Sequence, residues 1–265
     1  MLESLQYFFR SVPDQPRPMP PLVHIALLVI WLVVVFLLIE RGHQLAERPR
    51  LADRLLKVMA SVLLLDFVLM NGWMIFSHIF NAQENLSLFH CRMATILLII
   101  SIFFKRKKII IPGMWWGLMG SVATLIVAET YPYNFPHYSN FNFVIMHFLI
   151  GWISVYMVAV KGYRYPTKDL FFMLKVTNLY NLFLLMFNLT MHSFGLTQTN
   201  YGYINEPPLP LAMLYKSLGP IGYILFSLMI YNVIMLLTWI LGRFVLVPLV
   251  SKRQAKIERA TVRGW

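Results

Sequence analysis

Residues 22–40 read LVHIALLVIWLVVVFLLIE, and the fifteen side chains from Ile25 to Ile39 are all apolar. A helix rises 1.5 Å per residue, so about 20 mainly apolar residues cross a hydrocarbon core of about 30 Å. The run is too long for a buried strand. In lipid, a single segment satisfies its own N–H and C=O groups only as a helix. Comparable runs follow at 55–80, 88–104, 109–128, 141–160, 169–193 and 219–248. The expectation is an all-α integral membrane protein with seven transmembrane helices. Composition agrees: 58% of the 265 residues are hydrophobic and 13% charged, against about 25% charged in soluble domains. So little polar surface would not cover a water-soluble globule.

The net charge of +12 would suggest nucleic acid in a soluble protein, so its location decides what it means. Arg41, Arg48, Arg50, Arg54 and Lys57 flank the first connection. Lys105 to Lys108 form the third, Lys161, Arg164 and Lys168 lie in the fifth, and Lys252, Arg253, Lys256, Arg259 and Arg263 follow the last span. Alternate connections carry almost none. By the positive-inside rule the basic connections and the C-terminus are cytoplasmic, with the N-terminus outside. The charge is then a topology signal, and no nucleic-acid partner is expected.

Residues 1–21, with Phe8, Phe9 and the proline-rich run Pro13 to Pro21, read as an interfacial segment and a stiff linker. They lack the continuous apolar core of a cleavable signal peptide. No internal repeat is evident, so 22–248 reads as one seven-helix domain and 249–265 as a basic cytoplasmic tail. Cys91 is the single cysteine, which excludes a disulfide framework and a multi-cysteine metal site.

Polar residues inside spans are costly and usually face the bundle interior. With the orientation set, His24, His78, His90, His137, His147 and His192 fall toward the outer side, and only His43 toward the inner. Such histidines either gather at the interface or build a site. At 100° per residue, Asn178, Asn181, Asn188 and His192 share an arc of about 80° on one helix. Four aligned polar groups suggest a hydrated cavity more than interhelical glue. Asp66, deep in the second span, either pairs with an interior asparagine or lysine or relays protons. Gly113, Gly117, Gly120 and Ser121 give the fourth span a small-residue packing face. The outer loop from Asn200 to Pro208 is rich in turn formers and reads as a lid or a connector.

Cys91 lies in the first turn of its span, between His90 and Arg92. A thiol at a helix N-terminus near cationic groups becomes nucleophilic. Adjacent helical residues point apart, so a base from another helix, His147, meets the geometric need better. The plainer reading is a cysteine packed among apolar side chains.

The ordered set Leu86-Ser87-Leu88-Phe89-His90-Cys91-Arg92, Trp116-Gly117, Phe135-Pro136-His137, His147, Asn178-Leu179-Tyr180-Asn181, Asn200-Tyr201-Gly202-Tyr203 through Pro207-Pro208, and Leu218-Gly219-Pro220 resembles the YwaF family of bacterial seven-pass membrane proteins. One departure is Ser87, where that family often carries proline. The family is similar to animal TMEM-type proteins described as cysteine-dependent phospholipid acyltransferases. The resemblance implies Cys91 as acyl acceptor and His147 as general base. It also implies a multi-pass location in a bacterial cytoplasmic membrane, with a phospholipid or lysolipid as partner.

The leading expectation is therefore a lipid acyltransferase or transacylase working at the outer leaflet without cofactor or metal. Asn178, Asn181 and His192 would orient the base or hold an oxyanion, with His90, Arg92, His137 and Asn188 as supporting residues. Two other readings stand beside it. One is a lipid hydrolase with outer-side histidines as zinc ligands; the other is a non-enzymatic envelope transporter, sensor or assembly protein.

Overall fold

Pro21 and Pro49 each stand in the first turn of a long helix, where the missing N–H costs nothing and the fixed φ suits the helix. A computed structural model of the protein describes residues 2–14, 20–127, 132–207 and 212–252. Within these the helices are α1 (Leu2–Phe8), α2 (Pro21–Ala46), α3 (Pro49–Phe76), α4 (His90–Phe103), α5 (Lys107–Val127), α6 (Tyr138–Ala159), α7 (Thr167–Ser193) and α8 (Ala212–Ile240). A 3₁₀ turn at Tyr201–Tyr203 follows α7, and a π turn at Leu241–Leu246 follows α8. No strand occurs among the described residues.

Among the described residues, six helices are long and apolar enough to cross a membrane: α2, α3, α5, α6, α7 and α8. The expected third span is α4, which has 14 residues and is about 21 Å long. Helices α2 and α3 run past their apolar stretches and leave only Glu47 and Arg48 between them. The basic residues expected in a loop there mostly extend the helix ends, because Arg, Lys and Glu are good helix formers. Gly219 takes φ 67 and ψ 174 and interrupts α8. Pro220 restarts it, close to the expected start of the last span. The basic tail beyond residue 252, with Arg253, Lys256, Arg259 and Arg263, lies outside the described residues.

Burial identifies the middle of the bundle. In α6, 67% of the most apolar 18-residue stretch is buried, against 6% in α2. Ile25, Val29, Leu32, Val33 and Phe36 of α2 are exposed. In water each would forgo about 1.5–3 kcal/mol of burial; against lipid it is in its own medium. Helix α5 is wedged between α4 and α6 through small residues. A Cβ added at Gly113 would lie 3.1 Å from Leu98 of α4, and one at Gly117 would lie 3.1 Å from the Ile150 carbonyl oxygen of α6. On α2, a Cβ at Gly42 would lie 2.8 Å from the Ala159 carbonyl oxygen.

The N-terminal segment is clasped to the α5–α6 connection. Arg10 Nη2 donates to the Asn134 carbonyl at 2.8 Å and pairs with Asp14. Asp14 N donates to the Pro132 carbonyl at 2.9 Å. The Arg10 guanidinium holds the Asp14 carboxyl below its ordinary pKa, helped by the Asn134 N–H. His137 caps α6: its Nδ1 accepts from Ser139 N at 3.1 Å, so Nε2 carries the proton and donates to the Arg10 carbonyl at 3.0 Å. Its ring stacks on Tyr133 at 4.0 Å. Burial lowers the His137 pKa below the ordinary histidine value.

Two outcomes follow from these contacts. Gly42→Ala forces α2 away from Ala159 and lowers stability by about 1–3 kcal/mol. Gly72→Ala, whose Cβ would meet nothing closer than Phe76 at 4.0 Å, is neutral or stabilising by up to about 1 kcal/mol. Thermal unfolding in detergent distinguishes them. Because His137 is neutral when folded and protonates more readily when unfolded, its contribution is complete above pH about 6.5. It is lost as pH falls below that value. The unfolding temperature should drop in this acidic window, and the drop should shrink in His137→Asn, which keeps a cap without a titrating group.

Candidate functional site

The first turn of α4 places three chemically active residues in three directions. Phe89 precedes the helix in extended conformation with φ −66 and ψ 143, and each following residue turns 100°. His90 faces α5, α7 and α8, Cys91 faces α5, and Arg92 faces α3 and α6.

His90 is buried in an aromatic cage. Its ring stacks on Tyr231 at 4.5 Å between centroids and meets Trp116 and Tyr180 edge-on at 5.2 Å each. The polar tips of the cage are already bonded. Trp116 Nε1 donates to Thr177 Oγ1 at 3.0 Å, Tyr180 OH to the Leu88 carbonyl at 2.7 Å, and Tyr231 OH to the Gly202 carbonyl at 2.8 Å. The fully buried Asn181 amide lies beside the His90 ring. At hydrogen-bond geometry, His90 Nε2, Asn181 Nδ2 and Asn181 Oδ1 meet no partner.

Cys91 is half-buried. A Cβ at Gly120 would lie 3.1 Å from Cys91 Cβ and 3.9 Å from Ile150 of α6. Gly120 thus separates the thiol-bearing turn from α6 by one bare backbone. His147 stands three residues before Ile150. Its Nδ1 donates to the Phe143 carbonyl at 2.7 Å, which leaves the Nε2 lone pair as the acceptor. It lines a small pocket with His24, Thr124, Leu125 and Phe148. No hydrogen bond joins Cys91 and His147.

Arg92 lines a second small pocket with Asp66, Asn71, Thr95 and Asn142. Asn142 Nδ2 donates to Asp66 Oδ2 at 2.8 Å, so the deep carboxylate pairs with an interior asparagine. Arg92 Nη1 donates to the Asn85 carbonyl at 2.9 Å, tying the helix to the loop that leads into it.

The polar arc of α7 divides. Asn181 faces His90. Asn188 is fully buried and grips the loop beyond α7: its Nδ2 donates to the Tyr201 carbonyl at 3.1 Å and to Asn205 Oδ1 at 2.7 Å, and its Oδ1 accepts from Tyr201 N at 3.0 Å. His192 Nε2 donates to the Thr199 carbonyl at 2.7 Å. Asn178, at the edge of the arc, turns to α8 and exchanges amide hydrogen bonds of 2.7 and 2.9 Å with Asn232. The expected open cavity is thus filled by the chain itself. Tyr201 OH donates to the Ala82 carbonyl and accepts from Leu86 N, at 2.8 and 2.9 Å, and burial pushes its pKa up to about 12. The segment is a docked cap, and the Gly202 backbone lies over His90.

The profile of the TMEM164 family matches residues 19–242. The chain belongs to the TMEM164 family. The match begins just before α2 and ends in the π turn after α8. It takes in the aromatic cage, Cys91 and the docked cap. No curated protein and no solved structure matches the chain.

Among the described residues, no three His, Cys, Asp or Glu side chains gather into a set able to hold a metal ion. His137, expected as a supporting residue, serves as the cap of α6 and the anchor of the N-terminal segment. Sequence reasoning missed Tyr231 and the pocket that Arg92 lines with Asp66 and Asn142. The Tyr231-Asn232 pair interrupting the last apolar run was the available signal. Asn188→Leu should release the docked cap, because it strands the Tyr201 backbone groups at about 1–3 kcal/mol each. Limited chymotrypsin digestion should then cut at Tyr201 or Tyr203 at least tenfold faster, while Asn178→Leu should leave the rate near wild type.

Proposed function

We propose that this TMEM164-family protein is a seven-pass lipid acyltransferase with its N-terminus outside the cell and its site toward the outer leaflet. The short α4 counts as the third pass in this reading. The distribution of Lys and Arg supports the orientation. The cell membrane, bacterial if the YwaF resemblance is followed, is the corresponding location.

Cys91 is the nucleophile. The observation that carries the reading is its placement: one thiol in the first turn of a short helix, against bare Gly120, with His147 on the helix beyond. The His147 tautomer set by Phe143 leaves Nε2 able to accept a proton. The substrate's reacting oxygen sits between the two side chains. The sulfur attacks an acyl ester carbonyl, the S–C bond forms and the C–O bond breaks. The thiol proton passes through His147 to the departing oxygen. An acceptor hydroxyl then attacks the thioester, the C–S bond breaks, and the hydroxyl proton returns through His147 to sulfur.

Incubation with phospholipid should leave a hydroxylamine-labile acyl group on Cys91, absent in Cys91→Ala. His147→Gln should slow turnover by about 10²–10⁴-fold, the usual contribution of a positioned base. Unchanged lipid turnover in Cys91→Ala would refute the assignment.

A further inference from the structure

The His90–Asn181 pair is not explained by the fold. Every polar tip in the surrounding cage serves a backbone carbonyl or a hydroxyl: Trp116 on Thr177, Tyr180 on Leu88, Tyr231 on Gly202. Three atoms remain unpaired, His90 Nε2 and both amide atoms of Asn181, on side chains exposed by 5% and 0%. Buried polar groups are normally satisfied, and each exception asks for a reason. A packed apolar residue at either position would have avoided the cost.

The chemistry of the three atoms selects their partner. They present a donor, an acceptor and a ring nitrogen in an uncharged, aromatic setting. Arg92 faces the other side of α4, so no cation of this turn is offered to a phosphate or carboxylate. A quaternary ammonium has no hydrogen-bonding atom, and an ester carbonyl only accepts. A hydroxyl both donates and accepts, and meets two of the three atoms at once.

We propose that His90 and Asn181 seat the hydroxyl of the acyl acceptor, an alcohol-bearing lysolipid, next to Cys91. This rests on the acyl-transfer reading and adds to it the residues that select the acceptor. The hydroxyl accepts from Asn181 Nδ2 and donates to His90 Nε2. Cage rings flank the adjoining glycerol carbons. The Gly202 backbone covers the seat, with a Cβ there only 3.5 Å from His90 Cε1, so the acceptor enters as the docked cap lifts.

The test uses the full chain purified in detergent and two probes. One is lysophosphatidylcholine with its free sn-2 hydroxyl; the other is the matching acyl-propanediol phosphocholine, which lacks only that hydroxyl. From the ligand-induced rise in unfolding temperature, the hydroxyl lipid should bind about tenfold more tightly, as two modest hydrogen bonds imply. Asn181→Leu should bind both lipids alike. His90→Phe, which keeps an aromatic ring in the cage, should do the same and provides the answer if Asn181→Leu does not fold. Equal binding by wild type, or a preference that survives in both variants, overturns the seat and leaves the pair to hold water. A retained preference with no acyl group trapped on Cys91 rejects acyl transfer and keeps the seat.

Discussion

The small-residue face of α5 is the constraint on which the rest of the structure depends. In lipid, helices gain nothing by hiding apolar side chains from water, so association rests on close packing and hydrogen bonds. Gly113, Gly117 and Gly120 let Leu98, Ile150 and Cys91 come within van der Waals reach of bare backbone. Ser121 meets Gly151 on the same seam. Side chains of ordinary size at these points would hold α4 and α6 apart. Cys91 on α4 and His147 on α6 would then be drawn further apart.

The brevity of α4 follows from the same packing. The chain enters it through the irregular segment 77–89, held by Tyr201 at Ala82 and Leu86, by Tyr180 at Leu88 and by Arg92 at Asn85. These bonds satisfy backbone groups that a longer helix would have satisfied itself. The result is a short helix whose N-terminus is held by contacts from the segment leading into it. His90, Cys91 and Arg92 are then presented to three different surroundings from one turn.

The membrane-spanning character was legible because length and apolarity dictate it directly. The 15-residue apolar core of α2 admits no other reading, and the restart at Pro220 was marked by the Gly219-Pro220 pair. Helix ends were less legible, since charged helix formers carry α2 and α3 beyond their apolar runs. Periodicity put Asn181, Asn188 and His192 close together around α7, but did not show what each of them meets. Periodicity states which way Asn188 and His192 point. It does not state that the loop which follows will fold back and occupy their hydrogen bonds. Asn178 illustrates the limit: about 40° from its nearest companion on the arc, it meets Asn232 of α8 instead.

Arg92 and His90 show how two unusual residues, adjacent in sequence, come to different ends. Arg92 is a charge the positive-inside bias does not account for, and its contacts are with the loop carbonyl of Asn85 and the pocket of Asp66 and Asn142. Those contacts fix where α4 begins and how it faces α3 and α6. His90 carries no charge signal, yet its environment is the more costly one: a buried ring whose Nε2 is left unpaired beside an equally unpaired amide. A neutral polar pair without partners adds nothing to the folded state until something binds it. The side of α4 with unpaired polar atoms, not its charged side, is therefore where a bound polar group would gain most.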